Sequence, residues 1–251
     1  MAVIQNKYGA TIIVGSTSYH TYRTWGLIMT SQDPIGDPEL ETSYLQVMGR
    51  SNLLDWSEAL TGEPVFKGRP INMEFAIKSN PEEWTAKVSK IRNLIEGRQV
   101  KIIFDDDKSF YWLGRIQTKD TERLARLGKM HLYAYCDAYK KEKASSQEKL
   151  RWDDMNFLTD CLRYLGTIQI TDSGTVTIPH GNSSRGVVPT ITVTELAGSS
   201  LTMHSNRPNK NYTLISGKNR FPELKVCGSY DVTLTFSGLA KVTIDYRGES
   251  L

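Results

Sequence analysis

Apolar residues recur along this chain with two different periods, and the switch between them marks its most clearly specified segment. Trp84, Val88, Ile91 and Ile95 share one face at helical spacing, with Leu94 beside them. Asn80 suits the N-cap, Pro81 the first helical position, and Glu82 and Glu83 the positive end of the helix dipole. Gly97 supplies the left-handed residue that stops a helix. The period then drops to two. Val100 to Phe104 and Phe110 to Ile116 read as strands joined by the turn Asp105-Asp106-Asp107-Lys108-Ser109.

Strand patterns flank this cassette. Ile71, Met73, Phe75 and Ile77 alternate on one face, as do Met130, Leu132, Ala134 and Cys136. Ala10–Val14, Gly26–Met29, Tyr44–Met48 and Val65–Phe66 read as further strands, and Leu53–Leu60 fits no single period. The segment from Ser31 to Glu41 carries two Asp-Pro steps and predicts an exposed loop or arm. From Lys141 to Arg151 few residues are apolar, which predicts a linker. The Met155–Leu165 stretch suits either a short helix or a strand entry. Beyond it, strand signals recur at Thr175–Ile178, Thr190–Thr194, Leu201–His204, Tyr212–Ile215, Glu223–Val226, Asp231–Phe236 and Lys241–Tyr246, as in an antiparallel sandwich of about a hundred residues. The expected organisation is mainly β: residues 1–140 as a β-sandwich with one helix and a β-hairpin, residues 141–151 as a linker, and residues 152–251 as a second antiparallel β-sandwich.

At 251 residues, each part is long enough to bury a core. Net charge is +3, with 18 basic against 17 acidic residues up to position 140 and 13 against 11 afterwards. No basic face sufficient to neutralise many phosphates is visible, so sequence-specific nucleic-acid binding is not expected. Cys136, Cys161 and Cys227 are dispersed, and none belongs to a C-x-x-C pair. This indicates neither a disulfide framework nor a zinc site. Apolar runs fall far short of the ~18–20 residues that span a bilayer, and no leader pattern opens the sequence, so a soluble, unsecreted chain without membrane contact is expected.

Candidate chemistry is sparse. Three consecutive carboxylates, Asp105 to Asp107, offer metal binding or acid–base catalysis. Neighbouring strand residues point to opposite faces, however, and no calcium-loop continuation follows, so a solvated turn is the better reading. His20, His131, His180 and His204 lie far apart, without metal-ligand spacing. No nucleophile elbow, phosphate loop or dinucleotide fingerprint is present. Trp84 and Trp112 have core-facing positions, which leaves Trp25, Trp56 and Trp152 as possible stacking platforms. No catalytic residue, cofactor or metal site is expected, and the chain reads as an assembly part.

Several segments together resemble the distal tail protein (Dit) family of long-tailed, non-contractile phages. They are W-G-L at Trp25–Leu27, P-E at Pro38–Glu39, G-R-S-N-L-L-D-W-S-E-A-L-T-G-E at Gly49–Glu63, F-K-G-R-P-I at Phe66–Ile71, and L-I-E-G-R-Q-V-K-I-I-F-D-D-D-K-S-F-Y-W-L-G-R-I at Leu94–Ile116. Their order matches the family's N-terminal domain, with its aromatic-x-x-R step, helix and Asp-rich hairpin. The stretch from Leu214 to Gly248 is more loosely similar to the close of the family's galectin-like C-terminal sandwich.

The resemblance implies a structural role in the virion, in a phage or prophage tail. Six copies would form a ring hub around a channel for DNA, joining the tail tube protein to a tail-tip (Tal-type) protein, with receptor-binding or baseplate proteins at the periphery. Asp33, Pro34, Asp37, Pro38 and Glu39 are then the expected inter-subunit arm. Two alternatives remain open. One is a carbohydrate-binding receptor module using Trp152, Asn206, Arg207 and Asn211. The other is a hydrolase using scattered carboxylates.

Overall fold

Residues 8–59, 61–78, 81–123, 127–149, 164–181 and 185–251 are described by the structure, a computed structural model. The expected N-cap Asn80, Trp152, Cys161 and nearly all of Met155–Leu165 lie outside them. The chain divides into two compact units, Met1–Lys140 and Lys141–Leu251.

In the first unit, strands β1 (Ala10–Val14) and β2 (Thr17–His20) lead into helix α1 (Thr21–Trp25) and strand β3 (Leu27–Met29). Four two-residue strands follow: β4 (Leu40–Glu41), β5 (Tyr44–Leu45), β6 (Leu54–Asp55) and β7 (Val65–Phe66). Then come β8 (Arg69–Lys78), helix α2 (Pro81–Ile95), β9 (Gln99–Phe104), β10 (Phe110–Arg123) and β11 (Leu127–Cys136). The main sheet runs β2-β1-β9-β10-β11-β8-β3. Its register sets Ile71 opposite Ala134, Met73 opposite Leu132 and Phe75 opposite Met130, so the alternating apolar sets of β8 and β11 form one continuous layer.

Helix α2 covers that layer. Trp84, Val88, Ile91 and Ile95 are buried with Ile71, Phe75, Met130 and Ile102 in one core. The helix stops where expected: Gly97 takes φ +68°, and its N–H donates to the Ile116 carbonyl. Helix and strand fit closely because Gly128 has no side chain, and a Cβ there would run into the Trp84 ring. Strand β10 continues to Arg123, well past the expected Ile116. A register shift between Thr118 and Thr121 lets it keep pairing with β11 after its apolar alternation has ended.

Among the described residues, the first unit holds a second, short helix beside the expected one. Helix α1 has five residues, too few for a periodic signal, and is held at its ends instead. The His20 ring caps it by accepting from the Tyr22 and Arg23 amides, and Gly26 closes it at φ +64°.

Strand β12 (Lys140–Glu142) leads into the second unit, which contains β13 (Thr167–Ile170), β14 (Ser173–Ile178), β15 (Thr190–Thr194), β16 (Leu201–Asn206), β17 (Asn209–Leu214), β18 (Gly217–Asn219), β19 (Val232–Ser237), β20 (Ala240–Asp245) and β21 (Glu249–Ser250). Sheets β13-β20-β15-β18 and β14-β19-β16-β17 enclose a core that includes Ile191, Val193, Met203, Leu234, Phe236 and Val242. Glu223–Val226 is not a strand. Leu224 and Val226 are fully buried, but they plug the core from a turn, and only Val226 forms an isolated bridge, to Val187.

The Lys141–Lys149 segment is polar, as its composition indicated, yet it is stitched to the second unit. Glu142 N–H donates to the Gly248 carbonyl, and the Ser146 hydroxyl and Gln147 amide both donate to the Ile244 carbonyl. Polar side chains here satisfy backbone groups of the sandwich in place of apolar burial.

Candidate interaction surface

Between β3 and β8, which pair directly, the chain leaves the sheet and returns. The foot of this excursion is tied along β8. Thr30 N–H donates to the Glu74 carbonyl, Asn72 N–H to the Pro34 carbonyl at 2.7 Å, and Gly36 N–H to the Pro70 carbonyl at 2.8 Å. Pro34 is buried, Pro38 half-buried, and Asp33, Asp37 and Glu39 exposed. Lys67 donates to Glu39 twice, from its amide to the Glu39 carbonyl and from Nζ to the Glu39 carboxylate at 3.0 Å. The five residues expected to form the arm therefore lie at its root.

Beyond the root, two small ribbons extend outward. Strand β4 pairs with β7 and β5 with β6. Trp56 N–H donates to the Ser43 carbonyl, and the Asp55 carboxylate takes the Ser57 amide. Every residue from Glu39 to Leu53 is exposed. Met48 is 94% exposed and Trp56 54%, with Tyr44, Leu45, Val47 and Leu53 also in the open. Two-stranded ribbons are marginal in water by themselves, and apolar side chains gathered on one mark a surface to be covered.

This outer part was missed in the sequence. Its clue was a group of large apolar residues, L-Q-V-M and L-L-D-W, between turn signals and without a sustained period. Residues 31–66 also carry seven acids against one base, net −6, while the rest of residues 1–140 carry 17 bases against 10 acids, net +7.

The carboxylate triplet forms the turn after β9, and its members diverge. Asp105 meets His20 Nε2 at 3.1 Å, Asp106 accepts from the Tyr8 hydroxyl at 3.2 Å, and Asp107 pairs with Lys140 Nζ at 2.8 Å. His20 Nδ1 accepts two amide N–H groups, which leaves its proton on Nε2 facing Asp105. Burial, and next the Asp106 carboxylate, push the Tyr8 phenol up to about 12. These are three separate tethers around the end of β9, not a cluster converging on one ligand. Of the other histidines, His180 Nδ1 lies 2.9 Å from Asp231, whose carboxyl is held below its ordinary range by that hydrogen bond, and His204 bonds Asn211.

Trp25, Trp84 and Trp112 are buried, as are Cys136 and Cys227. In the second unit, the residues considered for sugar binding already have neighbours. Asn206 Oδ1 accepts the Thr233 amide, Arg207 stacks 4.0 Å over Tyr230, and Asn211 meets His204. No helix among the described residues is long and apolar enough to cross a membrane.

No family model and no curated protein matches the chain. Among solved structures it is similar to the crystal structure of the SPP1 Dit (gp 19.1) protein, titled a paradigm of the hub adsorption apparatus in phages infecting Gram-positive bacteria. The TM-score is 0.60 at 12% identity, over 96% of this chain and 99% of that one. At that identity the likeness is one of fold, and it reaches through both units. The chain has the fold of the Dit tail-hub protein, as the order of its motifs implied.

Proposed function

We propose that this chain is a structural component of a phage tail: a distal tail protein whose copies close into a hexameric ring hub in the virion. The ring joins the tail tube protein to a tail-tip protein around a channel, with receptor-binding or baseplate proteins outside. The observation that carries this reading is the fold match to a tail-hub protein over nearly the whole chain. The two small ribbons between Leu40 and Phe66 support it, because Met48, Tyr44 and Trp56 stand exposed on that excursion as an interface would present them. In a head-to-tail ring each copy offers one such arm and receives one, so none stays bare. Asp33, Pro34, Asp37, Pro38 and Glu39 form the inter-subunit arm's root in this reading.

Sedimentation of the purified chain over a wide concentration range tests it. The wild type is expected to associate, and Met48→Ser with Trp56→Ser to weaken association while shifting monomer stability by no more than about 0.5 kcal/mol, as for exposed sites. A chain that stays monomeric at every concentration, and also inside assembled tails, would sink the ring. Of the residues that carry the carbohydrate-binding alternative, Trp152 lies outside the described residues and Asn206, Arg207 and Asn211 are engaged in contacts within the sandwich, so the hub reading stands first. Saturable binding of one defined sugar on a glycan array would reverse that order.

A further inference from the structure

The motif F-K-G-R-P-I ends in an arginine for which the hub reading has no use. Arg69 opens β8 on the same face as Ile71, Met73 and Phe75, so the strand's alternation delivers a guanidinium to the end of an apolar layer. The residue is only 7% exposed. It lies 4.6 Å over the Trp112 ring and opposite Cys136 in register. Its Nε is buried without a hydrogen-bond partner, and no carboxylate among the described residues forms an ion pair with it. Among the described residues, Asp37 is the carboxylate whose charge favours the cation, against a larger effect of burial in the opposite direction. Arginine does not deprotonate in proteins, so the charge remains. Stacking on Trp112 covers one face of the guanidinium, and its buried Nε–H stays without an acceptor among the described residues.

The walls around this position are closely fitted. A Cβ on Gly68 would lie 2.6 Å from the Cys136 carbonyl, one on Gly114 2.5 Å from Cys136 Sγ, and one on Gly36 2.9 Å from the Pro70 carbonyl. Those glycines draw the root of the arm and strands β8, β10 and β11 together where Arg69 sits. Buried cations are ordinarily paired, and one without an ion-pair partner among the described residues, at the foot of an acidic arm, is half of an interaction.

We propose that Arg69 is a receiving site for a carboxylate, supplied by the acidic arm of a second copy of this chain. The inference rests on the ring reading and deepens it. The arm is net −6 and the remainder of residues 1–140 net +7, so an arm is repelled by other arms and drawn to the body of its neighbour. Because arm and Arg69 are different patches, each copy can receive one neighbour's arm and extend its own to the next, the heterologous contact that closes a ring.

The test combines Arg69→Met with single Asp→Asn and Glu→Gln exchanges along the arm, read by melting of dilute monomer and by sedimentation against concentration. Arg69→Met is expected to leave monomer melting unchanged or raise it, because an uncompensated charge is removed. It is also expected to raise the concentration needed for association by at least about tenfold. One arm exchange should reproduce that loss and add nothing when combined with Arg69→Met.

Association of Arg69→Met at the wild-type concentration overturns this site and leaves the ring standing. A wild type that never associates overturns both. Coupling of Asp37→Asn to Arg69→Met in monomer melting identifies the chain's own Asp37 as the partner and overturns the second-copy assignment. Should Arg69→Met not fold, the arm exchanges decide alone: if none weakens association, the proposal fails.

Discussion

Gly97 shows how one backbone requirement sets the end of an element. Its φ of +68° is one that side-chain-bearing residues rarely adopt, and a Cβ there would meet nothing within 4 Å. The cost of Gly97→Val is therefore conformational and not steric. It is expected to be about 1–2 kcal/mol, seen as lowered melting with the fold intact. Tyr8 makes an electrostatic case at the same scale. Its phenol is raised to about 12, by burial first and Asp106 second, so the folded state holds the proton more tightly than the unfolded state does. That contribution to stability is fully present below the ordinary tyrosine value near 10 and is lost as pH climbs toward 12. Asp106→Asn should bring the midpoint part of the way down and leave the burial contribution. Phenolate absorbance measured against Tyr8→Phe reports it, and an unmoved midpoint would refute the Tyr8–Asp106 contact.

Among elements, helix α2 and its strands depend on complementary shape. Trp84 lies over Gly128 so closely that any Cβ must displace the ring. Gly128→Ala is expected to destabilise the first unit by about 1–3 kcal/mol and to alter tryptophan fluorescence, as overpacking does. Unchanged melting would mean that the helix rides higher on the sheet. The same elements show what local pattern reveals. Ile71 to Ile77 and Trp84 to Ile95 were legible because burial on one face imposes a period on the residues themselves. Leu224 and Val226 misled because a core plug can alternate as a strand does. Tyr44 to Met48 shortened to Tyr44–Leu45, since an exposed ribbon has no buried face to hold a longer ladder.

For the whole molecule, the two cores are built from separate stretches of chain, Ala10–Cys136 and Ile170–Tyr246. Residues 141–251 expressed alone are therefore expected to melt cooperatively. The polar start of that piece should matter, because Ser146 and Gln147 hold the Ile244 carbonyl. Removing residues 141–149 is expected to lower its melting by the loss of these hydrogen bonds, roughly 1 kcal/mol each. A non-cooperative transition in the longer piece would show that the second unit does not fold by itself.

The sequence by itself determined the mainly β class, the helix with its stop at Gly97, the hairpin turn at Asp105–Asp107, and the order of motifs that resembles the Dit family. Each of these is a local constraint, carried by residues a few positions apart. Tertiary structure decided what depends on residues brought together from afar. It anchored Pro34 and Gly36 along β8, sent the three aspartates to three partners, exposed Met48 and Trp56, and set Arg69 against Trp112 with no ion-pair partner among the described residues. Whether a charge or an apolar side chain lacks a partner is a property of its surroundings in space, and no periodicity along the chain records it.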